Sequence, residues 1–195
     1  AGVNSGLVRM TLVRDRALNA FVSTGNRMFI NTGLIQQAES SLDVIGPLAH
    51  ETGHVAHGDI SRLPEEALAA MIQGLGSLLI GAAAGVASRN SGVAAGAILG
   101  GQSMAQRRFM SFSRTQEETA DIAALSYLDR LGWSARGMMN TFARLEAQDA
   151  LIVNRRDPYL LTHPMSRDRF QRVERFVAES RVRDTRQTDG FEPAF

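Results

Sequence analysis

The sequence predicts an α+β fold that is mainly helical, with a small three-stranded sheet near its start. Three observations carry that prediction. Strand-like stretches are confined to residues 7–31. Helical periodicity with recognisable caps dominates from residue 41 onwards. Of the 195 residues, 44% are hydrophobic and 21% charged, the balance of a globular chain. The length suits one substantial domain, expected over residues 1–183, with 184–195 as a tail or the start of a linker.

The first strand is Leu7–Val13, which partly alternates before the charged Arg14-Asp15-Arg16. Asn19-Ala20-Phe21-Val22 and Arg27-Met28-Phe29-Ile30 flank Ser23-Thr24-Gly25-Asn26, a hairpin turn by composition. Asn31 or Thr32 can cap a short helix from Gly33 to about Ala38. The next helix carries the main motif. Ser41 with Asp43 is an acceptable start, but Pro47 lacks the N–H that a mid-helix position needs. The helix is therefore expected to begin near Gly46-Pro47 or to kink there, and to stop at Gly58-Asp59. Gly53 inside it costs about 1 kcal/mol relative to Ala, and its expected use is close approach by another element.

Residues 67–106 are nearly free of charge: Ala67–Ala87 and Asn90–Gln106 contain none. Length alone permits a membrane span. Gly and Ala dominate, however, with Gln73 and Ser77 inside, so insertion is expected to be weak. The segment reads first as a packed helical hairpin, with membrane-surface contact and a true span as alternatives. Glu117–Leu131 reads as a helix burying Ala120, Ala123, Ala124, Leu125, Leu128 and Leu131, with Gly132 as its stop. Ser134 caps a helix carrying Met138, Phe142 and Leu145. Ser166 caps a last one with Phe170, Val173, Phe176 and Val177 on one face.

Net charge is +1 and all 21 basic residues are Arg. No electrostatic case exists for nucleic acid. The chain has no Cys, so a metal site here must use His and carboxylate. It opens Ala1-Gly2-Val3-Asn4 without a signal-peptide pattern and is read as a mature or trimmed product.

His50-Glu51-Thr52-Gly53-His54 is an H-E-x-x-H motif. On a helix, residues four apart share a face, so His50 and His54 can bind one zinc ion together, and Glu51 can take a proton from its water. A third ligand must come from His57, His163 or a carboxylate. Glu117 and Asp121 share a helix face. Glu117 can ligate, and Asp121 can accept the ring N–H of a ligand His and fix its tautomer. His57 reads as structural or supporting, because three ligands on one short helix cannot surround zinc tetrahedrally.

These segments resemble the HtpX/BepA-type zinc metallopeptidases, gluzincins related to the CAAX prenyl endopeptidases. The resemblance rests on His50-Glu51-Thr52-Gly53-His54, on Glu117-x-x-x-Asp121, and on Thr162-His163-Pro164 before Arg169. Asn19-Ala20-Phe21, Thr32-Gly33-Leu34 and Tyr127-Leu128-x-x-Leu131-Gly132-Trp133-Ser134 fit as well, so it spans roughly residues 18 to 175. It implies a zincin-like domain with the sheet beside the active-site helix. It implies His50, His54 and Glu117 as ligands of one zinc ion per chain, and Glu51 as catalytic base. It further implies an exported, periplasmic protease of unfolded or misassembled proteins in envelope quality control. That branch commonly carries a C-terminal tetratricopeptide-repeat domain, which is absent from this sequence, so a domain cut from a longer protein is expected.

The chemistry needs a donor to the oxyanion of the attacked peptide. His163 and Arg169 are the candidates. His163 can instead occupy the open zinc position and hold the enzyme inactive, or simply pack. Arg169 can instead pair with a carboxylate on its own helix. Met28, Phe29, Ile30 and Asn31 form a candidate cleft-edge strand along which an extended peptide could add. The rival reading is a chaperone-like binding module with a latent metal site.

Overall fold

The computed structural model describes residues 8–88, 91–151, 163 and 167–182. The expected tail at 184–195, the cap Ser166, and Thr162 and Pro164 beside His163 lie outside them. The chain divides into two compact units: Ala1–Ile60 with Gln116–Phe195, and Ser61–Thr115. The stretch read as a hairpin, 67–106, falls within the second.

The first unit opens with β1 (Arg9–Val13), β2 (Ala20–Ser23) and β3 (Arg27–Asn31). The turn between β2 and β3 has positive φ at Gly25 and Asn26, which lets two antiparallel strands meet without splaying. The sheet order is β1-β3-β2, with β1 parallel and β2 antiparallel to β3. Phe21 lies opposite Phe29, and their rings stack at 5.1 Å. This order corrects the expected substrate strand. Met28, Phe29, Ile30 and Asn31 lie on the central strand, whose backbone groups pair with β1 on one side and β2 on the other. No ladder at β3 is open to a peptide. Among the described residues, the outer edges belong to β1 and β2.

After the short α1 (Thr32–Gln36) comes α2 (Ser41–His57), which carries the motif. It starts at Ser41, not at Pro47. The Asp43 carboxylate accepts from the Glu39 and Ser40 backbone N–H groups, at 2.9 and 3.3 Å, satisfying donors that a helix start leaves open. Pro47 is tolerated six residues in, for a specific reason. Its missing N–H would have bonded the carbonyl of Asp43. The buried Thr141 hydroxyl lies 3.3 Å from that oxygen and shares its proton with Gly137 O at 3.0 Å. The helix ends at Gly58, whose φ of 66° is left-handed.

Then follow α3 (Asp59–Ser88), α4 (Ser91–Leu131), α5 (Arg136–Leu151) and α6 (Arg167–Glu179). The predicted helix over 117–131 is the last part of the 41-residue α4. Ala120, Ala123, Ala124, Leu125 and Leu128 are buried, whereas Leu131, the last residue of the helix, is 55% exposed. One core joins Ala124, Leu125 and Leu128 to Met138, Phe142 and Val173, with Ile45 and Ala49 against it. A second places Leu18, Ala20 and Leu34 with Leu145, Val44 and Leu48, and so fastens the sheet to α2 and α5. Gly53 supplies the close approach. A Cβ there would stand 2.8 Å from the Ala120 carbonyl oxygen, so α2 and α4 touch main chain to main chain three residues from Glu117.

In the second unit, Ile72, Leu79, Ile80, Val86, Val93 and Leu99 are exposed. No helix among the described residues is long and apolar enough to cross a membrane.

Candidate metal centre

Helices α2 and α4 and the segment before α6 converge on one buried cluster. One donor atom each from His50, His54, Glu117 and His163 lies within 4.8 Å of the others. His57, at the end of α2, is not in that group. His50 Nε2 is 3.1 Å from His54 Nε2 and 3.4 Å from His163 Nδ1. Glu117 Oε1 is 3.4 Å from His54 Nε2 and 3.1 Å from His163 Nδ1. Glu117 Oε2 is 3.4 Å from His50 Nε2.

The outer nitrogens of the motif histidines are tied to carboxylates. His50 Nδ1 lies 2.9 Å from Asp121 Oδ1, and His54 Nδ1 lies 2.8 Å from Asp59 Oδ2. By sequence, Asp59 belongs only to the helix stop. Its carboxylate reaches His54 because the left-handed turn at Gly58 brings the chain back beside the last turn of α2. The remaining signal, an acid five residues past a ligand histidine, has no fixed geometry until that turn is known. Gln116 Nε2 donates to the Asp59 carbonyl at 3.2 Å, so the residue preceding Glu117 also braces this corner.

The donor set fits a divalent metal ion. A neutral imidazole that donates from Nδ1 keeps a bare lone pair on Nε2. Two such lone pairs facing each other at 3.1 Å repel unless a cation or a proton sits between them. Four donors around zinc at about 2.0–2.1 Å stand about 3.3 Å apart along a tetrahedron's edges; four of the donor separations here are 3.1 to 3.4 Å, and the whole set lies within 4.8 Å. Charge points the same way. Glu51, Asp59, Glu117 and Asp121 are buried with one guanidinium, that of Arg169. Buried charge of one sign is costly unless balanced.

In the metal-free protein, protons take over that balancing. Burial alone would push His54 down, but Asp59 and Glu117 outweigh it and raise its pKa to about 10. His50 is likewise depressed by burial and raised on balance by Asp121 and Glu117. Burial would lift Glu117, yet His163, His50 and His54 hold it far below the ordinary carboxylate range. Asp121 is lowered against its own burial by Arg169 and His50.

Glu51 is fully buried, and neither of its oxygens accepts a hydrogen bond among the described residues. Its close polar neighbour is His163, whose Nε2 stands 3.2 Å from Glu51 Oε1. The His163 ring therefore spans the gap between the cluster and Glu51, with Nδ1 toward one and Nε2 toward the other.

Arg169 pairs with carboxylates of α4. Its Nε and Nη2 bond Asp121 Oδ2 and Oδ1 at 2.7 and 2.9 Å, and Nη1 lies 2.7 Å from Glu117 Oε2. Both partners are on α4. The expectation of an oxyanion donor is revised accordingly: all three guanidinium nitrogens face carboxylates, and a buried arginine satisfies its charge with the strongest acceptors in reach.

A small sheet packed on a helix that carries H-E-x-x-H, inside a largely helical domain, defines the zincin-like metallopeptidases. The profile of Peptidase family M48 matches residues 3–177, and the chain belongs to that family. A putative beta-barrel assembly-enhancing protease of Vibrio cholerae serotype O1 is 32% identical over 163 residues, covering 81% of this chain and 32% of the relative. A beta-barrel assembly-enhancing protease of Yersinia pestis is 29% identical over 158 residues, 79% of this chain and 31% of the relative. The metalloprotease YcaL of Escherichia coli is 27% identical over 179 residues, 92% of this chain and 66% of the relative. The chain thus spans about a third of the length of the first two relatives.

Proposed function

We propose that this chain is the zinc-dependent endopeptidase domain of an exported, periplasmic protein, that it cleaves unfolded or misassembled envelope proteins, and that it is held closed by His163. The observation that carries the closed state is the placement of that ring. Nδ1 stands 3.1 Å from Glu117 Oε1 and 3.4 Å from His50 Nε2, while Nε2 stands 3.2 Å from Glu51. It fills the space that an attacking water needs between the ligands and the base. The zinc and envelope assignments rest on the donor set and on the names of the relatives, and the single ion per chain rests on the single cluster among the described residues.

His50, His54 and Glu117 would hold the zinc, with Asp121 and Asp59 orienting the two rings. When bound, zinc acidifies water and polarises the peptide carbonyl. Glu51 takes the proton from the attacking water and passes it to the leaving amine. Its burial beside the cluster keeps bulk water from competing for that proton. His163, displaced from Glu51 when substrate enters, has a ring N–H with which to stabilise the developing oxyanion. Arg169 acts through Glu117 and Asp121, not on the substrate.

A second reading has a specific observation in its favour. Four protein donors around one point is the pattern of a structural site, which suits a chaperone-like binding module with a latent centre. Zinc content and cleavage of an unfolded protein separate the two. Glu51→Gln is expected to keep the metal and lose hydrolysis by about 10²–10⁴-fold, and full activity in that variant would remove the catalytic assignment. His163→Ala is expected to raise basal proteolysis. If it abolishes activity instead, the ring is a required donor and not a brake.

The exposed apolar residues of the second unit are proposed as the surface that meets unfolded substrate or the membrane surface. A further tetratricopeptide-repeat domain is proposed from the length of the relatives.

A further inference from the structure

We propose that Arg169 is a positioning residue that confines Glu117 to single-oxygen donation, so that the metal meets Oε1 while Oε2 is held by the guanidinium. The proposal rests on the metal reading above. Both Glu117 oxygens border the histidine nitrogens: Oε1 is 3.4 Å from His54 Nε2 and 3.1 Å from His163 Nδ1, and Oε2 is 3.4 Å from His50 Nε2. Distance to the rings alone therefore does not choose one oxygen. A carboxylate so placed can chelate through both and add a fifth donor to the four already gathered.

Arg169 breaks the tie. Its Nη1 is 2.7 Å from Oε2, with both side chains buried. A full positive charge at that distance, where water cannot screen it, opposes the approach of a second cation to Oε2 and so disfavours it as a metal donor. The guanidinium has no freedom to shift toward Oε1. Its other two nitrogens are bonded to the two oxygens of Asp121 at 2.7 and 2.9 Å, a paired arrangement that fixes the plane. The Phe142 ring lies 5.1 Å below the guanidinium carbon and supports it from the core. Glu117 and Asp121 are one turn apart on α4, so one planar cation fastens the ligand and the acid that orients His50. Lysine, a point charge without the fork, cannot hold both.

The test replaces zinc by cobalt(II) in the whole chain and reads its visible absorption, which is stronger for four donors than for five. Wild type is expected to bind one cobalt with the strong four-donor band. In Arg169→Gln the band is expected to weaken several-fold while one cobalt per chain is retained, and Arg169→Lys should weaken it as well. If Arg169→Gln loses its far-UV helical signal, the decision passes to Arg169→Lys. A folded Arg169→Gln or Arg169→Lys protein with the wild-type band overturns the proposal. Failure of the underlying metal reading looks different: wild type would then show no site-specific cobalt spectrum to compare, or Glu117→Ala would keep the wild-type one.

Discussion

The two units of this chain bury opposite things. The first, Ala1–Ile60 with Gln116–Phe195, encloses Glu51, Asp59, Glu117, Asp121 and Arg169 and keeps its larger apolar side chains mostly inside. The second, Ser61–Thr115, leaves Leu79 at 74% and Val86 at 80% exposure. Burying like charges costs free energy, and so does wetting large apolar side chains. Neither arrangement serves the stability of a free chain. The first offers a donor set that fits a balancing cation, and the second exposes apolar side chains that a contact would cover. The difference sets a cluster that fits an ion in one unit against exposed apolar side chains, proposed as a contact surface, in the other, and each half can be broken separately.

The largest effect is expected at the ion. Glu117→Ala should abolish tight zinc binding, read by competition with a chelator, because it removes a donor and leaves Arg169 buried beside an empty corner. Asp59→Asn comes next, with metal affinity falling about 10–100-fold and the fold retained. An unchanged affinity would leave Asp59 a helix terminus and nothing more.

Removing the metal should expose the protonation balance. The His54 pKa is raised from 6.5 to about 10, so its contribution is complete below pH 6.5 and is lost as pH climbs toward 10. Glu117 is lowered from 4.5, so its contribution is present above pH 4.5 and is lost on acidification. Metal-free protein is therefore expected to be most stable between pH 4.5 and 6.5, in thermal melts across pH. Loaded protein should have its optimum at higher pH, because the metal displaces those protons.

Gly53→Ala is smaller. A Cβ 2.8 Å from the Ala120 oxygen must force α2 and α4 apart, at about 1–3 kcal/mol, which outweighs the roughly 1 kcal/mol gained in helix propensity. The smallest change in stability belongs to the other unit. Leu79→Ser, on an exposed face, should alter unfolding free energy by less than about 0.5 kcal/mol while reducing capture of an unfolded protein or of lipid vesicles. Loss of fold in that variant would show that Leu79 serves a core.

Much of this was legible in the sequence, and what was not has physical reasons. His50, His54, Glu117 and Asp121 could be singled out because helical spacing is local, and two pairs four apart announce two faces. The β1-β3-β2 order could not be read, since nothing local tells β1 to pair across the hairpin instead of with its neighbour β2. That misplacement made β3 look like an edge. Pro47 argued against a helix start at Ser41 because its remedy, the Thr141 hydroxyl, lies on α5. Arg169 was open to several partners, as any long side chain is, until the packing of α6 against α4 presented it with two carboxylates.

Gly53 has a last consequence. With no side chain between α2 and α4 at that point, the gap between the histidine pair and Glu117 is set by main-chain atoms. Backbone contacts do not drift as neighbouring side chains are exchanged over evolutionary time. The dimensions of the metal cradle can therefore stay constant while the surrounding sequence diverges, and a single methyl group at position 53 would retune which ion it suits.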